Sequence, residues 1–134
     1  MSKQAINPNS LFPSVQFGFS QIMVSEPGRT VYLSGQVAWD ETQNIVGEDD
    51  FRAQTWQSFK NVERAMAEAG GSLEDVVLLR IYVVDPYLEQ GNVISEALKA
   101  FFPGDNPPVS TWLGIQRLAN TDFLIEVEAI GVIS

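Results

Sequence analysis

A chain of 134 residues, 45% hydrophobic and 19% charged, has the size and composition of one soluble globular domain spanning 1–134. Seventeen acidic residues against eight scattered basic ones, a net charge of −9, argue against nucleic-acid binding, and no run reaches the ~18 apolar residues of a membrane span. The absence of cysteine and histidine excludes disulfides, thiol and serine–histidine nucleophiles and zinc knuckles, leaving Asp, Glu, Tyr, Lys, water or the substrate for proton transfer.

Met1 to Pro8 contains no apolar core of a secretory signal, so a cytoplasmic protein is expected. Residues 15–24 alternate apolar and polar and predict a strand. Glu26-Pro27-Gly28-Arg29 reads as a turn joining it, as a hairpin, to a second strand over 30–38. Asp40 to Gly47 is a polar loop. Residues 50–69 predict a helix, with Trp56, Phe59, Val62 or Glu63, Met66 and Ala69 at helical spacing, acidic residues at its start and Gly70-Gly71 at its end. A strand dense in Val, Leu and Ile follows over 75–84, interrupted by Arg80. Asp85-Pro86 reads as the start of a second helix, whose apolar face holds Tyr87, Gly91, Ile94, Leu98 and Phe101. Pro103-Gly104 stops it. Strands over 109–118 and 123–133, joined by a turn at Asn120-Thr121-Asp122, complete the order.

Two helices on one face of a mixed sheet predict an α+β two-layer sandwich. Nothing in the chain covers the other face. Val76, Leu78, Tyr82 and Val84 share parity with Arg80 and are too apolar to face water, so sheet-to-sheet association between subunits is expected.

The last strand carries Glu126 and Glu128 on one face, roughly 6–7 Å apart, opposite a core face of Phe123, Ile125, Val127 and Ala129. A buried carboxylate needs a partner. The two glutamates are either an acid–base pair or a polar face with one of them bound to Arg80 or Arg117. Ser34-Gly35 follows a strand, where glycine allows a close approach to the backbone; a ligand site and a bulge are both open readings. Arg80 reads as a structural ion-pair partner, and Trp39, Trp56 and Trp112 as packing residues. Asp40, Glu48, Asp49 and Asp50 lack the spacing of a calcium loop and read as solvated charges and a helix cap.

Taken in order, Ser34-Gly35-Gln36-Val37, Asp40, Gly47, Gln54, Asn61, Ala69-Gly70 and Asp75-Val76-Val77 begin a series. Tyr82-Val83, Asp85, Phe101-Phe102, Pro107 and Ile125-Glu126-Val127-Glu128-Ala129 complete it. The set resembles the RidA/YjgF family, also called endoribonuclease L-PSP, over roughly residues 15–133. The resemblance implies a chorismate-mutase-like fold and a homotrimer, with the sheets around a central barrel and ligand clefts between subunits. It implies hydrolysis of reactive imines and enamines, such as 2-aminoacrylate and 2-iminobutanoate, without metal or organic cofactor.

In that family an arginine in a Pro-Ala-Arg-Ser-like segment clamps the substrate carboxylate, and a glutamate on the last strand holds water. Glu126 matches that glutamate, with Glu128 as its structural companion. Ser34 and Gly35 match the serine and glycine of the cleft. Phe19 stands where a tyrosine is common and Thr111 where a cysteine is common. The segment here reads Pro107-Pro108-Val109-Ser110-Thr111-Trp112, so Val109 takes the arginine's place. Valine has neither charge nor donor.

The expected function is therefore a homotrimer that binds a small metabolite between subunits, without the standard deaminase activity. Val109 and Trp112 make the pocket more apolar, and the ligand is less anionic than an amino-acid-derived imine. The alternatives are an imine or enamine deaminase in which Glu126 orients water, and a non-catalytic regulatory or protein-interaction trimer. A ribonuclease is least favoured, since no histidine is present and the charge repels RNA.

Overall fold

The computed structural model describes residues 3–134. Its strands are β1 (Lys3–Ile6), β2 (Ile22–Ser25), β3 (Arg29–Gln36), β4 (Val76–Val84), β5 (Val109–Ile115) and β6 (Ile125–Ile133), and its helices are α1 (Phe51–Glu68) and α2 (Gly91–Phe101). Four strands form a mixed sheet in the order β3-β6-β4-β5; β4 and β5 are parallel and the other pairs antiparallel. β1 and β2 form a separate antiparallel ribbon.

Both helices lie on one face of the four-stranded sheet, as the two-layer α+β expectation requires. Phe59, Val62 and Met66 of α1 and Ile94, Ala97 and Leu98 of α2 pack on Leu79, Ile81 and Val83 of β4 and Ile125, Val127 and Ala129 of β6. All of these side chains are fully or almost fully buried. The core face predicted for the last strand is thus the buried one. Asp50 caps α1 by accepting from the Ala53 N–H at 3.0 Å, and Gly70 ends it in the left-handed region at φ +93°.

Three local expectations are corrected. Residues 15–24 are not one strand, and no hairpin joins them to β3. Ser14–Phe17 forms a 3-10 turn that closes on Gly18 at φ +99°, and Ser14 Oγ donates to the Phe19 carbonyl at 2.7 Å. Only 22–25 is extended, and it pairs with β1. Glycine is required at 18 twice over, since a Cβ there would also lie 2.8 Å from Leu98 Cβ. The second helix begins at Gly91 rather than Pro86. Tyr87–Gln90 forms a separate 3-10 turn, and the Asp85 N–H is drawn back to the Ile115 carbonyl at 2.9 Å. Finally, Val76 belongs to the core and not to the open face. The β4–β6 register slips between Val76 and Leu78, and the extra residue reverses the parity of everything before it.

Two amides on α1, Gln54 buried and Asn61 half-buried, fasten the sheet from behind. Gln54 Nε2 donates to the carbonyls of Gly47 and Asp122, at 3.1 and 2.9 Å, and its Oε1 accepts from Leu124 N–H at 2.9 Å. Asn61 Nδ2 donates to the carbonyls of Val37 and Trp39 at 2.8 and 2.9 Å. The first set fixes the entry to β6, and the second the exit from β3. Among the described residues, no helix is long and apolar enough to cross a membrane.

Candidate functional site

The face of the sheet opposite the helices is uncovered. Cross-strand register builds it in rows. One row holds Leu113, Tyr82 and Glu126; the next holds Thr111, Arg80 and Glu128; a third holds Val109, Leu78, Ile130 and Tyr32. Tyr32 is 76% exposed and Leu113 44%. These are large values for apolar and aromatic side chains in strand centres.

The two glutamates are not equivalent. Glu128 is engaged twice: one carboxylate oxygen accepts the Tyr82 hydroxyl, and the other lies 3.8 Å from Arg80 Nη1. The hydrogen bond to Glu128 raises the Tyr82 pKa above the usual phenol value, because ionisation would surrender it. Arg117 does not join this group; its Nε donates to the neighbouring Leu118 carbonyl at 3.4 Å. Glu126 has no ion-pair or hydrogen-bond partner among the described residues. Burial and then the charge of Glu128 raise its pKa above the ordinary carboxylate range.

Gly35 creates the space in which Glu126 lies. Between Leu33 and Gln36, β3 advances by one residue more than β6, so Ser34 and Gly35 together form a bulge. The bulge brings the Gly35 backbone under the Glu126 carboxylate. A Cβ at position 35 would fall 1.9 Å from Glu126 Oε2 and 2.5 Å from its carboxyl carbon. Of the two readings open at Ser34-Gly35, the bulge is present, with a close contact to Glu126 at Gly35. Ser34 is exposed beside it.

The remaining sequence-derived candidates lie at the other edge of the sheet. Val109 and Thr111 point to the open face, as their partners Leu78 and Arg80 do. Trp112 pairs in register with buried Ile81, so it points to the helix side, where it packs on the core and its Nε1 donates to Ser110 Oγ at 3.0 Å. Phe19 meets Trp112 edge to face at 6.0 Å, and the adjacent Ser20 bridges Val109. Within one chain, Val109 stands two strands across and four residues along from Glu126, roughly 15 Å on strand spacings. The structure brings together Glu126, Gly35 and Ser34, sets Val109 and Thr111 on the same open face at the β5 edge, and puts Phe19 with Trp112 on the helix side; it does not bring the three groups together.

Tyr82 is the polar participant that sequence reasoning missed, having read it only as an apolar face residue. Its link to Glu128 is diagonal across two strands and depends on the β4–β6 register. Gln54 and Asn61 were visible only as members of a motif series. Asp40 and Asp50 have local duties: Asp40 Oδ1 accepts from the Thr42 and Asn44 backbone N–H groups, both at 2.9 Å, and Asp50 caps α1. A cleft of about 460 Å³ between Lys3, Leu73, Phe101, Phe102 and Asp105 is remote from Glu126 and contains none of these groups.

The model of the endoribonuclease L-PSP family matches residues 11–133. The chain is similar to the crystal structure of YyfB, a Rid-family protein of unknown function from Yersinia pestis. The identity is 38%, over 99% of this chain and 100% of that one, with a TM-score of 0.95. It is also similar to RidA from an Antarctic Psychrobacter species, with 32% identity over 81% of this chain and 84% of that one and a TM-score of 0.71. TdcF from E. coli, solved with bound serine, matches with 29% identity over the same shares and a TM-score of 0.71.

Proposed function

This chain belongs to the endoribonuclease L-PSP, or RidA/YjgF, family, and on that premise we propose that it is a homotrimer binding a small metabolite in clefts between subunits. The observation that carries this reading is Glu126. It is an unpartnered carboxylate, raised in pKa, lying over a bulged glycine on an uncovered and largely apolar sheet face. A carboxylate kept without a partner destabilises the fold and is explained by a ligand or a water that it holds.

The separation of the two residue groups supports a cleft between copies. Glu126, Gly35 and Ser34 form one wall on the β6–β3 side, and Val109 and Thr111 the other on the β5 edge of a neighbouring copy. The uncovered face supports association too, since its apolar residues need cover. The serine bound by TdcF supports a ligand of metabolite size. A trimer of this kind fits a cytoplasmic protein.

The standard deaminase reaction is not part of the proposal. The family resemblance places a carboxylate-clamping arginine where this chain has Val109. An imine assay in which an amino-acid oxidase generates 2-iminobutanoate tests this directly. Wild-type protein is expected to leave the imine's decay at its uncatalysed rate. Hydrolysis at a high rate, abolished by Glu126→Ala, would instead establish the deaminase and show that Val109 is tolerated. Stabilisation by a metabolite with no product formed would mark a binding protein without catalysis.

A further inference from the structure

Resting on the reading of Glu126 as a pocket wall, we propose that the ligand is a small organic cation without a carboxylate, an iminium or ammonium group on an apolar body, with its N–H donors directed at Glu126.

The argument is a count of charge on the open face. Among the described residues, the strands of the four-stranded sheet place three charged side chains there: Arg80, Glu126 and Glu128. Arg80 and Glu128 neutralise each other at 3.8 Å, and Tyr82 takes a place on Glu128. Glu126 is left over. The β5 edge adds Val109 and Thr111 to this face, and neither carries charge. Identical copies that associate through this face add only the same face residues, so the face itself leaves one uncompensated negative charge per copy. A ligand carboxylate would meet Glu126 with no unpaired cation on this sheet face to offset it, and closing the cleft would strengthen the repulsion. A cation with N–H donors neutralises the charge and supplies the missing hydrogen bond in one contact.

The rest of the open face favours an apolar body on that cation. Val109, Leu78 and Ile130 lie in one row across it, and Leu113 shares the row of Glu126. Aliphatic side chains of this kind suit the hydrocarbon part of an organic cation better than a hydrated inorganic one.

Calorimetric titration with three matched probes tests the assignment: 2-phenylethylammonium, phenylalanine and 3-phenylpropanoate. The first is expected to bind at least about tenfold more tightly than either carboxylate. Glu126→Gln should remove that preference. Glu63→Gln, a one-charge change on the exposed face of α1, should leave it intact, which separates the site from attraction to the net charge of −9. Val109→Arg should shift the preference toward the carboxylates. Where the phenyl probes are the wrong shape, a metabolite library screened by thermal shift replaces them; a Glu126-dependent cation supports the proposal. A Glu126-dependent carboxylate ligand, from either set, overturns the cation assignment and leaves the pocket standing. The absence of any Glu126-dependent binder overturns the pocket reading as well.

Discussion

Glu126 and Gly35 act as a unit. Burial and Glu128 raise the Glu126 pKa, so the folded chain holds that proton more tightly than the unfolded chain does. The resulting stabilisation is present below the ordinary carboxylate pKa and is lost as pH rises through the raised one. At neutral pH the ionised side chain therefore weakens the fold. Glu126→Gln is expected to raise the melting temperature at pH 7, with the gain fading toward zero below about pH 4. A gain that did not depend on pH would show that the charge is not its source. Gly35→Ala has a different signature. The new methyl would displace the carboxylate that now lies 1.9 Å from its position, yet Gly35 is not held in the left-handed region, so the backbone tolerates alanine. The variant should stay folded by circular dichroism and lose ligand binding by about tenfold or more. Wild-type affinity in Gly35→Ala would separate Gly35 from the site.

At the scale of elements, α1 and β6 illustrate what a sequence discloses and what it withholds. Trp56, Phe59, Val62 and Met66 recur at a spacing set by the helix itself, so α1 was legible to within a residue at each end. The inward face of β6 was legible for the same reason, because alternation is a local property. Strand pairing is not local. The alternation over 15–24 is interrupted by Gly18, and nothing nearby in the chain states that β2 would choose β1 over β3. The slip in β4 that sends Val76 into the core depends on its register with β6. The same register hides the Arg80–Glu128–Tyr82 group from any reading along one strand. Of the candidate site, Glu126, Gly35 and Ser34 were legible as motifs, and so was a close approach at Gly35; that Glu126 is the group that approaches depends on the β3–β6 register and was not. Gln54 offers a test of how the elements are joined. Replacing it with leucine leaves the Leu124 N–H and the Gly47 and Asp122 carbonyls without their buried partner. Each such loss costs about 1–3 kcal/mol, so Gln54→Leu should lower the unfolding free energy by at least that amount in a denaturant titration. An unchanged midpoint would mean that water replaces the amide.

At the scale of the molecule, the open face leaves apolar side chains without cover. Leu78, Ile130 and Leu113 lie across its strands, and Tyr32 stands almost free at its β3 edge. Sedimentation equilibrium is expected to return a trimer, and Ile130→Lys, which adds a charge near the middle of that face, should dissociate it. A wild-type monomer would remove the second wall from the proposed cleft. It would leave Val109 and Glu126 too far apart to share a ligand.

The bulge in β3 has a consequence for chain length. Leu33 opposite Ala129 and Gln36 opposite Val127 are in proper register on either side of it, with one residue too many between them. Deleting Ser34 would close the ladder without turning any other β3 side chain to the wrong layer. The shortened chain should fold at least as well as the parent, and its Glu126 would lose the recess in which it lies. Loops tolerate insertions and deletions readily, whereas a residue in surplus within a strand bends it and re-aims the groups beside it. Among homologous chains, gaps at Ser34-Gly35 would then coincide with loss of the acid at 126, a correlation between an indel and a point change across two strands.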